Sequence, residues 1–259
     1  MKKVIRATLL SLKEQVNEQN INPTHKAVIF TELGKEEVVY CKEIPPREIF
    51  IESAIALIGR DLGISIPEPY LILATPESHP NYQEPSLLFG SKSIEYPNLF
   101  RKLSILAKEQ ILPLLEEYDE KHGVAVFDEW TANPDRHFGN ILFDGSNHFY
   151  FIDHEFCVPV GCQPTSIIGK NRLLNEFKIT KEQDKNKLSY IDHCMKTHTP
   201  KCVSYALNNI ADRTFALNFL EQSEIDYLIQ FLQSRVLYIT NLLYQRLNIK
   251  QQPLFGEPH

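Results

Sequence analysis

The chain has no long apolar run, no cluster of Lys or Arg and no cysteine framework, and each absence removes a class of function. Its longest apolar stretches fall far short of a membrane span. The opening "MKKVIRATLL" has a basic start but neither a long apolar core nor a small-residue cleavage site. No membrane partner is expected. Lys and Arg number 27 against 33 Asp and Glu, for a net charge of −6, whereas phosphate-backbone binding rests on clustered basic residues. No direct nucleic-acid partner is expected either. The five cysteines, Cys41, Cys157, Cys162, Cys194 and Cys202, are odd in number and sparse, which argues against disulfides and for a reduced, cytoplasmic setting. Internal repeats and low-complexity tracts are also missing. What remains is a chain of 259 residues, 43% of them hydrophobic, which is enough to bury one large domain or two small lobes.

Local patterns divide the chain. Residues 4–12, 27–31 and 37–43 read as strands, the last two joined by a hairpin turn at "ELGKEE". Ile51, Ile55, Ile58 and Leu62 recur at helical spacing, and Gly63 sits where a helix-ending glycine belongs. "PEPYLILATP" then restores extended chain, and residues 86–89 suit one more short strand. From Phe100 the pattern turns helical: 100–118, with Pro113 a weak point, then 123–132, then 223–247. In the last, Ser223 and Asp226 resemble a capping box ahead of an apolar stripe from Ile225 to Leu243. The expected fold class is α+β, with a small β-rich N-lobe over 1–95, a break near 90–98, a larger mainly helical C-lobe over 96–250 and a flexible tail at 251–259.

"WTANPDRHFGNILF", residues 130–143, packs Asp, Arg, His and Asn into six positions just before an apolar strand. "ILFDGSNHFYFID" reads as strand, turn, strand, with the turn at 144–147. If Phe143 opposes His148, then Asn140 opposes Phe151 and Asp153 lies one diagonal step away, about 7–8 Å at Cα. Two hard oxygen donors converging across that gap suit a divalent cation such as magnesium carrying a phosphate. Asp135, five residues before Asn140, stands where it can accept a hydroxyl proton. Taken singly, each is a turn former or a strand end. Taken together on one hairpin, they read as a phosphoryl-transfer site.

"NPDRHFGNILF" followed by "FYFIDHEF" resembles the catalytic and metal-binding segments of HipA-like kinases, compact ones above all, and more distantly those of phosphoinositide kinases. The shared pattern is Asp-x-His-x-x-Asn and then a strand ending in Ile-Asp. The resemblance implies a two-lobed protein-kinase-like fold using ATP and Mg2+. Asp135 would be the catalytic base, Asn140 and Asp153 the metal ligands, and His137 a support for the phosphate or the loop. Such kinases also need a strand lysine for the α- and β-phosphates and a helix glutamate to hold it. "VVYCKE" supplies Lys42. Glu52, eleven residues before the Gly-x-x-x-Pro turn at Gly63, matches the glutamate, although Glu43 and Glu48 compete for the role.

The chain departs from ordinary protein kinases in three ways. No Gly-x-Gly-x-x-Gly precedes Lys42, and the 13–26 linker stands in that place. The order is Asp-Arg-His rather than His-Arg-Asp, and His154 and Glu155 replace Phe and Gly after the metal-binding Asp. The implied partners are ATP and a protein Ser/Thr substrate, with an antitoxin partner where such kinases act as toxins. The alternatives are a small-molecule or lipid kinase and a nucleotide-binding pseudokinase. Cys194, His198 and Cys202 match no common zinc spacing, and a Cys157/Cys162 redox pair has no further support. Asp128 reads as an anchor of the catalytic loop and Trp130 as core, while the role of Arg136 stays open.

Overall fold

The computed structural model describes residues 2–16, 22–80, 82–94, 96–97, 108–145, 148–171, 173–174 and 177–249. The helix start expected at 100–107, linker residues 17–21, the hairpin-turn residues 146–147 and the 251–259 tail lie outside them.

The N-terminal part is a closed five-stranded barrel of β1 (Ile5–Gln15), β2 (Thr24–Thr31), β3 (Glu36–Lys42), β4 (Pro69–Ala74) and β5 (Ser86–Lys92). Their order around the barrel is β1-β2-β3-β5-β4. All neighbours run antiparallel except β1 and β4, whose parallel pairing, Ile5 opposite Tyr70 through Thr8 opposite Leu73, closes the ring. Period-two alternation fills the interior with Ala7 and Leu9, Ala27 and Ile29, and Val39 and Cys41. The same alternation turns Tyr40 and Lys42 to the outer face of β3.

Helix α1 (Pro46–Asp61) opens with a proline suited to the first helical turn, and ends at Gly63, whose φ of +89° only glycine adopts without strain. It packs on β4 and β5. Every residue from Ile49 to Gly59 is buried, so α1 has no solvent face over that span and Glu52 lies well inside. A Cβ at Gly59 would run into the Ile66 side chain and sit 3.2 Å from the Phe127 ring, so this glycine leaves room for both. A second, larger core runs from α1 through the helices that follow.

Those helices are α2 (Lys108–Glu117), which continues through Pro113, α3 (Lys121–Trp130), α4 (Asp184–Thr197), α5 (Thr199–Val203), α6 (Ile210–Thr214), α7 (Gln222–Arg235) and α8 (Ile239–Arg246). The chain is α+β, with the barrel first and the helices after it. The helix expected over 223–247 is broken by a 3-10 turn at Val236–Tyr238. The break adjoins Arg235, whose buried guanidinium donates to the carbonyls of Glu129, Pro164 and Ser166. The capping box is not formed: α7 starts one residue earlier, Glu221 is the N-cap without a side-chain bond, and Asp226 accepts from Gln222 instead. Among the described residues no helix is long and apolar enough to cross a membrane.

Between α3 and α4 lies the hairpin of β6 (Ile141–Phe143) and β7 (Phe149–Phe151). Its register differs by one residue from the expected one: Phe143 opposes Phe149 and Ile141 opposes Phe151. A one-residue slip turns a strand over. Only the observed pairing puts the four buried side chains Ile141, Phe143, Phe149 and Phe151 on one face. Asn140 therefore pairs with Ile152, whose N–H donates to its carbonyl, and not with Phe151.

Candidate active site

The loop from Thr131 to Asn140 is built on one buried ion pair. Arg136 and Asp128 have fully buried side chains, and the guanidinium grips both carboxylate oxygens, Nε to Oδ2 at 3.1 Å and Nη2 to Oδ1 at 3.2 Å. Its remaining reach goes through Nη1 to the carbonyls of Asn140 (3.1 Å) and Ile152 (2.8 Å), the residues that lead into β6 and out of β7. Arg136 thus holds the hairpin entrance, a framework role that needs the planar fork of an arginine. Asp128 anchors the loop as expected, also accepting from Asn133, whose amide oxygen caps the Asp135 N–H at 3.0 Å. Asn133 was not among the expected residues, although an Asn two places before an Asp is a recognisable turn former.

This framework presents Asp135, His137 and Asn140 together. The Asn140 amide nitrogen donates to the Asp135 carbonyl at 3.0 Å and lies 3.4 Å from its Oδ2. His137 Nε2 stands 3.6 Å from the same Oδ2, while its Nδ1 accepts from the Gly139 N–H. The Asp135 side chain remains 35% exposed, so its carboxylate is open to an incoming group.

On the other side, Lys42 lies in register with Thr24 of β2 and Phe89 of β5, and this row of three outward-facing residues lines the cleft. The ammonium meets three carboxylates: Asp153 at 2.5 Å, Glu155 at 3.1 Å and Glu52 at 3.4 Å. Glu52, rather than Glu43 or Glu48, reaches the lysine. The geometry depends on Asp153, whose φ of +65° swings the chain out of β7. Asp is among the residues that tolerate this left-handed conformation. Residues 153 and 155 then face Lys42 while the intervening His154 N–H donates to Glu52 Oε2 at 3.0 Å. Burial alone would push Glu52 up, but the Lys42 charge and the His154 contacts outweigh it and hold the carboxyl well below the usual range. For Lys42, burial pulls the ammonium down and the three acids more than restore it, so it stays charged. Burial and the two neighbouring acids together hold Glu155 above the usual range despite Lys42.

Both groups face one cleft of about 1190 Å3, whose lining includes Lys42, Glu52, Asp135, His137, Asn140 and Asp153. All six expected site residues therefore share a single cavity. Glu155 and Asn22, which donates to it at 3.0 Å, also line it and were not expected. The donor set fits a divalent cation: oxygens of Glu52, Asp153 and Glu155 lie within 4.8 Å of one another, and one ammonium answers three negative charges. No other group of three or more His, Cys, Asp or Glu among the described residues has such geometry. Cys157 and Cys162 are free, and burial pushes both thiols up, that of Cys157 well above its ordinary range.

The fold is similar to that of a solved structure, the Helicobacter pylori proinflammatory kinase CtkA, with a TM-score of 0.52. The two chains are 18% identical over 86% of this chain and 94% of that one. No protein-family model and no curated protein matches the chain.

Proposed function

We propose that the chain is an ATP- and magnesium-dependent phosphotransferase of the HipA-like kind, acting on a Ser or Thr hydroxyl of a protein. The observation that carries this reading is the convergence of Lys42, Asp135, Asn140 and Asp153 on one cleft. The likeness in fold to a kinase supports it. On this reading the barrel with α1 and the helical region act as two lobes with the nucleotide between them, and an antitoxin is a candidate partner.

The roles follow from the chemistry of each group. Lys42 offers a fixed positive charge to the α- and β-phosphates, and Glu52 keeps it on the outer face of β3. Asn140, whose amide nitrogen is spent on Asp135, has its amide oxygen for magnesium, and Asp153 supplies a carboxylate. Bound magnesium would neutralise phosphate charge. Asp135 accepts the proton of the substrate hydroxyl as its oxygen attacks the γ-phosphorus and the bond to the β-phosphate oxygen breaks. His137 and Asn140 fix the position of its carboxylate, and Arg136 sets the loop that carries all three.

The test is transfer of label from γ-labelled ATP to a protein acceptor in the presence of magnesium. Asp135→Ala should slow transfer by about 10²–10⁴-fold while leaving nucleotide binding and melting temperature unchanged. Wild-type protein that binds ATP but transfers to no hydroxyl would make the chain a pseudokinase and sink the proposal.

A further inference from the structure

We infer that Glu155 makes nucleotide binding depend on the metal, by holding uncompensated negative charge where the phosphates enter. This rests on the phosphotransferase reading of the same cleft. Glu155 is 5% exposed and both its oxygens are engaged, Oε2 with Lys42 at 3.1 Å and Oε1 with Asn22 at 3.0 Å. Its carboxyl is therefore fixed in place, between the residues just ahead of β2 and the loop after β7. Glu52 and Asp153 already supply two carboxylates to Lys42, so the lysine is neutralised without Glu155. The third acid leaves the cluster with an excess of negative charge at the only ammonium in it.

Two kinds of nucleotide meet this cluster differently. A metal-free polyphosphate, itself strongly negative, is repelled by the excess charge and competes with three carboxylates for one lysine. A nucleotide carrying a divalent cation brings positive charge that the acids attract, and the excess becomes favourable. Glu155 thus widens the difference in affinity between the two forms. By reciprocity, nucleotide then raises metal affinity by the same factor. Glu155 acts on the nucleotide through its charge, as a specificity-determining residue. Asp153 and Asn140 remain the expected ligands.

The experiment titrates full-length protein with a fluorescent ATP analogue, once with magnesium and once with EDTA, and takes the ratio of the two dissociation constants. In wild type the metal-free constant should be much the weaker. Glu155→Gln should shrink the ratio about tenfold, mainly through tighter metal-free binding. Glu155→Asp keeps the charge while altering the contacts and should keep most of the ratio. Asn22→Asp, which adds a negative charge beside the same carboxylate, should enlarge the ratio, and it tests the idea even if Glu155→Gln fails to fold. Equal weakening of both constants in Glu155→Gln, or no change of ratio in Asn22→Asp, would overturn the inference while leaving the phosphotransferase reading intact. Wild-type protein that binds no analogue with magnesium would instead overturn that reading, and this inference with it.

Discussion

Two buried ion clusters flank the hairpin, and they solve the problem of buried charge in opposite ways. At Arg136 and Asp128 the charges match one to one, both side chains are fully buried, and the remaining guanidinium reach is taken by backbone carbonyls. At Lys42 one ammonium answers three carboxylates, and one of them, Asp153, is 27% exposed to the cleft. Both clusters use the chemistry of ion pairs largely out of water, and the exposure of Asp153 alone does not set their roles. Stoichiometry does. A balanced pair has nothing left to offer a ligand and acts as framework, whereas an unbalanced cluster facing a cavity keeps charge in reserve for whatever enters.

The sharpest way to break this contrast is to remove one cation from each cluster. Arg136→Met leaves Asp128 buried and uncompensated and frees two carbonyls, so it should cost about 3–5 kcal/mol of stability by denaturant unfolding, with no recovery on adding magnesium. Lys42→Met leaves three acids facing a cleft that water and cations can reach. Its loss should be smaller, about 1–3 kcal/mol, and millimolar magnesium should return part of it as a rise in melting temperature. If Lys42→Met cost as much as Arg136→Met and ignored magnesium, the Lys42 cluster would be framework too.

The contrast also explains what could be read from the residues alone. Asp135, Asn140 and Asp153 stood out because they sit within one short hairpin segment, where local spacing determines who meets whom. Lys42 and Glu52 follow from the family resemblance, while strand and helix patterns place them only on β3 and α1. Glu155 was visible only as a departure from the usual residue, because its role depends on Asn22, which lies 133 positions away in sequence. Arg136 is opaque for a different reason: its partners lie only 4, 8 and 16 positions away, but two of them are backbone carbonyls, which leave no mark in the residue types. The hairpin turn is one residue longer than local spacing suggests, because only that register buries all four apolar side chains on one face. Closure of the barrel by parallel β1 and β4 has no local signal at all.

A third way of handling a buried polar group appears at His122, which has neither a matched partner nor an excess of opposite charge. Its Nδ1 is buried without a hydrogen-bond partner among the described residues, and its ring lies edge-on to Phe177, Tyr190 and His193. Burial, reinforced by the charges of Lys121, His193 and His198, pulls it from 6.5 down to about 3, so it is buried neutral. Between those values the unfolded chain takes up a proton that the folded chain refuses. Stability should therefore be complete above about pH 6.5 and fall as the pH drops from there towards about 3. His198, shifted in the same direction, adds to the slope. The effect is the smallest of those argued here, because the ring is only half-buried and water screens part of it. It is measured as the drop in melting temperature between about pH 7.5 and about pH 5. His122→Phe should flatten that drop, since the aromatic pocket accepts an apolar ring. An identical drop in the variant would mean that the proton goes elsewhere and that His122 is not held neutral by the fold.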